Sequence, residues 1–299
     1  MTIFLPSGVG GTAAAVSLAS PLYVLNESNP PLYVDSVTGV DAVYPAGTSR
    51  TRPLATLAQA VTNSNTGGII VLLSTHNETL SSAVTVAING LTIVGEGASS
   101  AGVPSASLTV ADAVTTRGLY INAVNVMVQN IRFKAPTAAL TKFTVQMADA
   151  GAEFENCYFE MDENSDAALI NFAPLNSFGL WFRGCTFVST EATATIAKTP
   201  REILNVAAVA GSMTVRMDDC VFDGGVTGFK DASDKPFATD FEASTATVRF
   251  QGRNISLLRG ANLVVVDIAT AWGYVNAATS TGASQVIIVP STGGGGAAV

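Results

Sequence analysis

Through the middle of the chain one order of residues recurs. It runs an apolar residue, a free position, a small polar residue or glycine, Ile or Cys, a free position, and Phe. It appears as Val128-Gln129-Asn130-Ile131-Arg132-Phe133 and as Phe154-Glu155-Asn156-Cys157-Tyr158-Phe159. It returns as Phe182-Arg183-Gly184-Cys185-Thr186-Phe187 and as Met217-Asp218-Asp219-Cys220-Val221-Phe222, and Phe250-Gln251-Gly252 opens a fifth copy that then leaves the register. The copies start at 128, 154, 182, 217 and 250, a return every 26 to 35 residues. Periods of that length with strand-like units mark a repeat architecture.

One unit is too short to bury its own apolar residues, so the units must stack as parallel strands at about 4.8 Å per rung. The apolar slot, the Ile/Cys slot and the Phe then become interior columns, and Ile131, Cys157, Cys185 and Cys220 share one of them. Asn130, Asn156, Gly184, Asp219 and Gly252 fall at a bend, where Asn, Asp and Gly tolerate left-handed backbone. The expected fold is all-β, a right-handed parallel β-helix. Ile69–Leu73, Val84–Ile88, Leu91–Val94, Leu119–Ile121 and Val126–Val128 read as its earlier rungs, and the stretches 188–213 and 229–247 as lateral loops.

The expected organisation is an extended N-terminal arm (1–30), a cap with a short helix (31–68), the β-helix (69–260), then C-terminal strands with a Gly-rich tail (261–299). Pro53 suits the first turn of the cap helix, whose apolar face is Leu54, Leu57, Ala58 and Val61. The arm carries Ile3, Phe4 and Leu5 but too few apolar partners to fold alone, so it is expected to lie on another subunit. The tail, Gly293–Val299, is expected to do the same.

Tyr33-Val34-Asp35, Gly39, Asp41, Gly47-Thr48-Ser49, Pro53-Leu54-Ala55-Thr56-Leu57 and Gly67-Gly68-Ile69-Ile70-Val71-Leu72 resemble the N-terminal cap of pectate-lyase-like right-handed β-helix proteins. That group includes many phage tail and surface proteins. The resemblance implies a fold over roughly residues 33–260 and specifies activity poorly.

Composition narrows the partners. With 48% apolar and 13% charged residues the chain fits a heavily buried solenoid, and a net charge of −8 argues against nucleic acid. Three cysteines in 299 residues are read as buried thiols and not as a disulfide framework. No stretch is long and apolar enough to span a membrane, and the N-terminal run lacks the basic start of a signal peptide.

Chemistry is sparse. His76 is the only histidine, which disfavours histidine-rich zinc sites and a serine triad. Asp162-Glu163-Asn164-Ser165-Asp166 opens like a calcium loop, but Ala167 and Ala173 stand where the turn glycine and the bidentate acid belong. Alternation places Gln129, Glu155, Arg183, Asp218 and Gln251 in one outward column, with Met127, Glu153, Trp181, Arg216 and Arg249 beside it. Glu155 and Asp218 would then stand roughly 9–10 Å apart from the rung spacing, at the wide edge of an inverting glycosidase pair. Arg183 between them favours two ionised carboxylates and a structural ladder.

The expected function is therefore a non-enzymatic structural protein of a phage virion surface, made in the host cytoplasm. The specific expectation is a homotrimeric capsid decoration protein that meets the major capsid protein through Ile3, Phe4 and Leu5. No catalytic residue, metal or cofactor is assigned. Glu155, Trp181, Arg183 and Asp218 form the expected subunit-contact face, with weak glycan binding as its other use. The alternatives are a tail fibre or tail-tip protein, a glycan-degrading tailspike-type depolymerase or lyase acting through Glu155, Asp218 or the 160–166 acids, and a secreted adhesin.

Overall fold

The computed structural model describes residues 29–99, 101–111, 117–134, 143–147, 151–161, 170–172, 178–189, 204–206, 212–223, 238–240, 247–258, 263–266, 272–280 and 286–289. Within them the chain is a parallel β-helix with three faces. The first face runs through Leu32–Val34, Ile69–Leu72, Thr92–Gly95, Val126–Gln129, Ala152–Glu155, Phe178–Arg183 and Ser212–Asp218 to the long strand Thr247–Leu258. That strand crosses into the second face, which runs back through Val221–Asp223, Thr186–Ser189, Tyr158–Met161, Arg132–Lys134 and Ser107–Val110 to Asn77–Leu80. The third face is a separate 8-stranded sheet from Val84–Val86 to Val286–Val289. Every pairing between strands is parallel, as short units that stack without hairpins require.

The repeated hexamer is the corner between the first and second faces. Its polar third position has left-handed backbone, with φ of 52° at Asn130, 51° at Asn156, 60° at Gly184 and 55° at Asp219. The N–H of each corner residue still reaches the next rung: Asn130 donates to the Glu155 carbonyl and Asn156 to that of Arg183, at 2.9 and 2.8 Å. The ladder therefore continues through the corner residue itself. A Cβ at Gly184 would sit 2.5 Å from Oδ1 of Asn156, so a side chain at this corner would have to displace the Asn156 amide.

The fifth copy corrects the sequence reading. Gly252 is paired with Met217, Arg253 with Asp218 and Leu257 with Phe222, and the left-handed corner is Asn254 at φ 57°. The repeat is thus Gly252-Arg253-Asn254-Ile255-Ser256-Leu257, two residues later than the Phe at 250 suggested. Glycine occupies the apolar slot there, which hid it. Arg253, not Gln251, continues the Glu155 column.

Inside, the expected columns form. Ile131, Cys157, Cys185, Cys220 and Ile255 are buried, none more than 1% exposed. The thiols are free and donate to carbonyls of the preceding rung, Cys157 to Val128 and Cys185 to Phe154 at 3.4 and 3.3 Å. Burial pushes the Cys185 and Cys220 thiols well up, so they behave as small hydrophobes. Phe133, Phe159, Phe187 and Phe222 stack with centroids 5.0 Å apart at each step. Phe154 and Phe182 stack beside them at 5.4 Å. Each such ring contributes about 1.5–3 kcal/mol by burial.

The third face shows where alternation was too short to read. Leu204–Val206 and Ala238–Asp240 are strands of that face lying inside stretches expected to be loops. Each contributes three residues, too few to announce a period of two.

The cap closes the first rung. Its helix is Leu57–Asn63, shorter than Pro53 suggested, with Thr56 as N-cap accepting the Gln59 N–H at 3.2 Å. The helix begins after Thr56 because the backbone there is extended (φ −124°, ψ 147°), and Asp41 takes the N–H groups of Ala55 and Thr56, both at 2.9 Å. Leu54 is buried in an extended bridge to Val34, and Ala58 faces solvent. His76 is buried: its Nδ1 accepts the Ser36 N–H at 3.1 Å and its Nε2 lies 3.2 Å from Glu78, whose carboxylate also takes the Leu57 N–H. The histidine is a strut of the cap.

Candidate functional site

Parallel register builds two outward columns on the first face. One is Met127, Glu153, Trp181, Arg216 and Gln251; the other is Gln129, Glu155, Arg183, Asp218 and Arg253. Side chains one rung apart on the same face lie within reach of one another, so these columns interleave their charges.

Three carboxylates meet three guanidinium groups. Arg183 lies 2.7 Å from Glu153 and 3.6 Å from Glu155. Gln129 donates to Glu155 at 2.6 Å. Arg216 and Arg253 approach Asp218 at 2.8 and 3.4 Å, and the Trp181 indole N–H donates to it at 3.0 Å. The side chain of Asp218 is only 3% exposed. The sequence reading brought Glu155, Trp181, Arg183 and Asp218 together, and they are together. The expected pairing of Arg183 with Glu155 is present, but Arg183 lies closer to Glu153, and Asp218 is met by Arg216 and Arg253 instead.

Trp181 is locked between these groups. Besides its bond to Asp218, the guanidinium carbons of Arg183 and Arg216 lie 4.1 and 4.5 Å from the indole ring centroid. Next to it an open groove of about 380 Å³ crosses four rungs of the first face. Gly151 and Gly179 are in its floor, and Met127, Glu153, Trp181 and Arg216 rise from it. A Cβ at Gly179 would meet nothing within 4 Å, so glycine there leaves the groove open.

The carboxyl of Glu153, an outward acid of this face, is pushed above the ordinary carboxylate range. Burial raises it, Arg183 opposes, and Glu155 adds repulsion. Its Oε1 is buried and, although close to Arg183, lacks a hydrogen bond of good geometry. Sequence reasoning placed Glu153 in the right column but did not single it out. Its place between Met127 and Trp181, two large side chains that shield it from water, was the available signal. Among the described residues no cluster of His, Cys, Asp or Glu is arranged to hold a metal ion. No described helix is long and apolar enough to cross a membrane.

On the third face Arg117 lies over Tyr120, 3.6 Å from its ring centroid, and donates to Gln146. Asn171, Asn205 and Asp240 continue the register position of Gln146. Ile3, Phe4 and Leu5, the acids 162–166, the loop charges from Lys198 to Glu202 and from Lys230 to Lys235, and the Gly-rich tail lie outside the described residues.

No family model and no curated protein matches the chain. Among solved structures it is similar to a rhamnogalacturonan lyase at TM-score 0.46 and 9% identity, over 82% of this chain and 70% of that one. It is also similar to the pectin methylesterase from Aspergillus niger in penultimately deglycosylated form, at TM-score 0.38 and 14% identity over 83% and 84% of the two chains. Likenesses at this level leave activity open.

Proposed function

We propose that the chain is a non-enzymatic structural protein, a homotrimeric decoration protein of a phage particle surface that is anchored through its N-terminal arm. The observation that carries the non-enzymatic part is the state of Asp218. Two guanidinium groups and an indole N–H occupy both oxygens of its carboxylate, whose side chain is 3% exposed, so it is engaged within the chain and turned to no substrate. Glu155 is likewise held by Arg183 and Gln129. Hydrolysis by a carboxylate pair needs two acids that face the substrate, and these two face side chains of their own sheet. The phage setting is supported by the resemblance of the cap. The trimer is supported by Met127 and Trp181, large side chains that stay half-buried on the outside of the first face.

Sedimentation of the full chain should give a trimer; a stable monomer would count strongly against the assembly. Removing residues 1–20 should leave a soluble β-helix that no longer binds particles, and unchanged binding would overturn the anchor.

A second reading, a glycan-cleaving enzyme, is favoured by one observation: the raised carboxyl of Glu153 in a groove walled by Trp181. Incubation with capsule, lipopolysaccharide or pectin, followed by assay for new reducing ends and unsaturated uronates, separates the two. We expect none. Products that vanish on Glu153→Gln would replace the structural reading with this one.

A further inference from the structure

The loop between the first strand and the cap helix turns its apolar side chains outward. Val37, Val40, Val43 and Tyr44 are 71%, 72%, 78% and 54% exposed. A floppy loop would fold such residues inward, but this one is pinned. Asp35 takes the Val37 N–H and the Thr38 hydroxyl, at 3.2 and 2.6 Å. Val40 donates its N–H to the Pro53 carbonyl at 3.0 Å, and Asn63 reaches the Ala42 carbonyl at 2.8 Å. Asp41 is tied to Ala55 and Thr56. Gly39 lies so close to the chain that a Cβ would stand 2.2 Å from the Leu54 carbonyl oxygen. The result is a rigid apolar knuckle, and rigid exposed apolar surface marks a contact site.

The chain itself carries a matching segment. Residues 1–28 contain a single charged side chain, Glu27, and include the uncharged run Pro21-Leu22-Tyr23-Val24-Leu25. This stretch enters the cap at Asn29, three residues before Leu32–Val34, and the pinned loop lies along that same strand. Tyr33 donates its N–H to the Gly47 carbonyl at 2.7 Å, and Leu54 donates to the Tyr33 carbonyl at 2.8 Å. The four residues from Leu25 to Asn29 span at most about 14 Å, so the run is tethered beside the knuckle at high effective concentration.

We propose that Pro21–Leu25 seats on Val37, Val40, Val43 and Tyr44 of its own chain. The seat fixes where the arm joins the cap. It stands whether or not the arm holds a particle.

The test uses the full-length protein. Radical labelling of Tyr44 should be at least fivefold slower than in the Leu22→Asp/Val24→Asp variant, with Tyr33 as internal reference. Chymotrypsin should cut after Tyr23 at least tenfold faster in Val40→Asp/Val43→Asp than in the unaltered chain, while cleavage after Phe4 stays unchanged. Tyr44 labelling at the rate of free tyrosine in the unaltered protein, a measurement that needs no variant, would overturn the proposal and leave the knuckle to a different partner. Protection that disappears on dilution would overturn the same-chain seat in favour of a second copy.

Discussion

Asp35 and Asp41 in the cap accept bonds from backbone N–H groups and hydroxyls, whereas Glu153, Glu155 and Asp218 on the first face meet guanidinium groups. Backbone donors cannot rotate away, so the cap carboxylates fix the path of the chain as it enters the helix. Guanidinium groups ride on flexible stems and can exchange a carboxylate for water or a ligand. The first face is therefore cross-linked side chain to side chain, and its contacts can be remade. The two kinds of carboxylate also ask different things of their partners. A neutral N–H needs only an oxygen acceptor; a guanidinium needs the charge.

The interior stack that both regions rest on sets the scale of any perturbation. Phe187 is fully buried and stacks on Phe159 and Phe222 at 5.0 Å. Phe187→Ala should cost about 3–5 kcal/mol in denaturant unfolding. A loss below about 1 kcal/mol would mean that rungs collapse to fill the gap, and the comparison of the surfaces would then lose its fixed reference.

Replacing acid by amide separates the regions directly. Asp218→Asn leaves Arg216 and Arg253 facing a neutral group and should cost about 2 kcal/mol, since charge-assisted bonds are roughly twice as strong as neutral ones. Asp41→Asn keeps an oxygen for Ala55 and Thr56 and should cost less than about 1 kcal/mol. High salt should narrow the Asp218→Asn difference and leave that of Asp41→Asn unchanged. Equal losses at both sites would erase the distinction.

Much of this was legible in the chain. The corner residues Asn130, Asn156, Gly184 and Asp219 declared themselves because left-handed backbone restricts residue type, and the Cys and Phe columns because interior volume does. The third face was legible only in part: Val84–Val86 and the end of Arg117–Ile121 were read as rungs, whereas strands such as Leu204–Val206 carry too few residues to show a period. The fifth repeat was misplaced because Gly252 fills an apolar slot. At the surface, alternation identified which residues share a column. It could not tell which acid each arginine chooses, because that depends on stem length and on the diagonal neighbour, as the choice of Glu153 by Arg183 shows.

The smallest effect is the most diagnostic, because the two regions should answer pH with opposite sign. At Asp35 burial alone would raise the carboxyl, but the Thr38 hydroxyl, the Val37 N–H, Thr75 and the nearby His76 outweigh it and hold it below its ordinary value. Such a group binds its proton more weakly folded than unfolded. Its stabilisation is complete above the unfolded pKa and is lost as pH falls through the folded one. At Glu153 burial raises the carboxyl, Arg183 opposes, and Glu155 adds repulsion, leaving it above the ordinary value. The folded state then holds the proton more tightly, so stability declines as pH rises from the ordinary carboxylate range through the raised value, and is level above it. Unfolding midpoints of the unaltered protein, Asp35→Asn and Glu153→Gln, taken from pH 3 to 7 (about the span of carboxylate titration), isolate each contribution. The attraction of Arg183 acts only on ionised Glu153 and is already contained in the raised value, so Glu153→Gln reads the net effect of burial and charge. The loss on Asp35→Asn should shrink toward acid, whereas Glu153→Gln should gain stability relative to the unaltered protein as pH rises toward neutral. Slopes of the same sign would mean that Arg183 neutralises Glu153 as fully as the cap donors hold Asp35, and that the first face is as fixed as the cap.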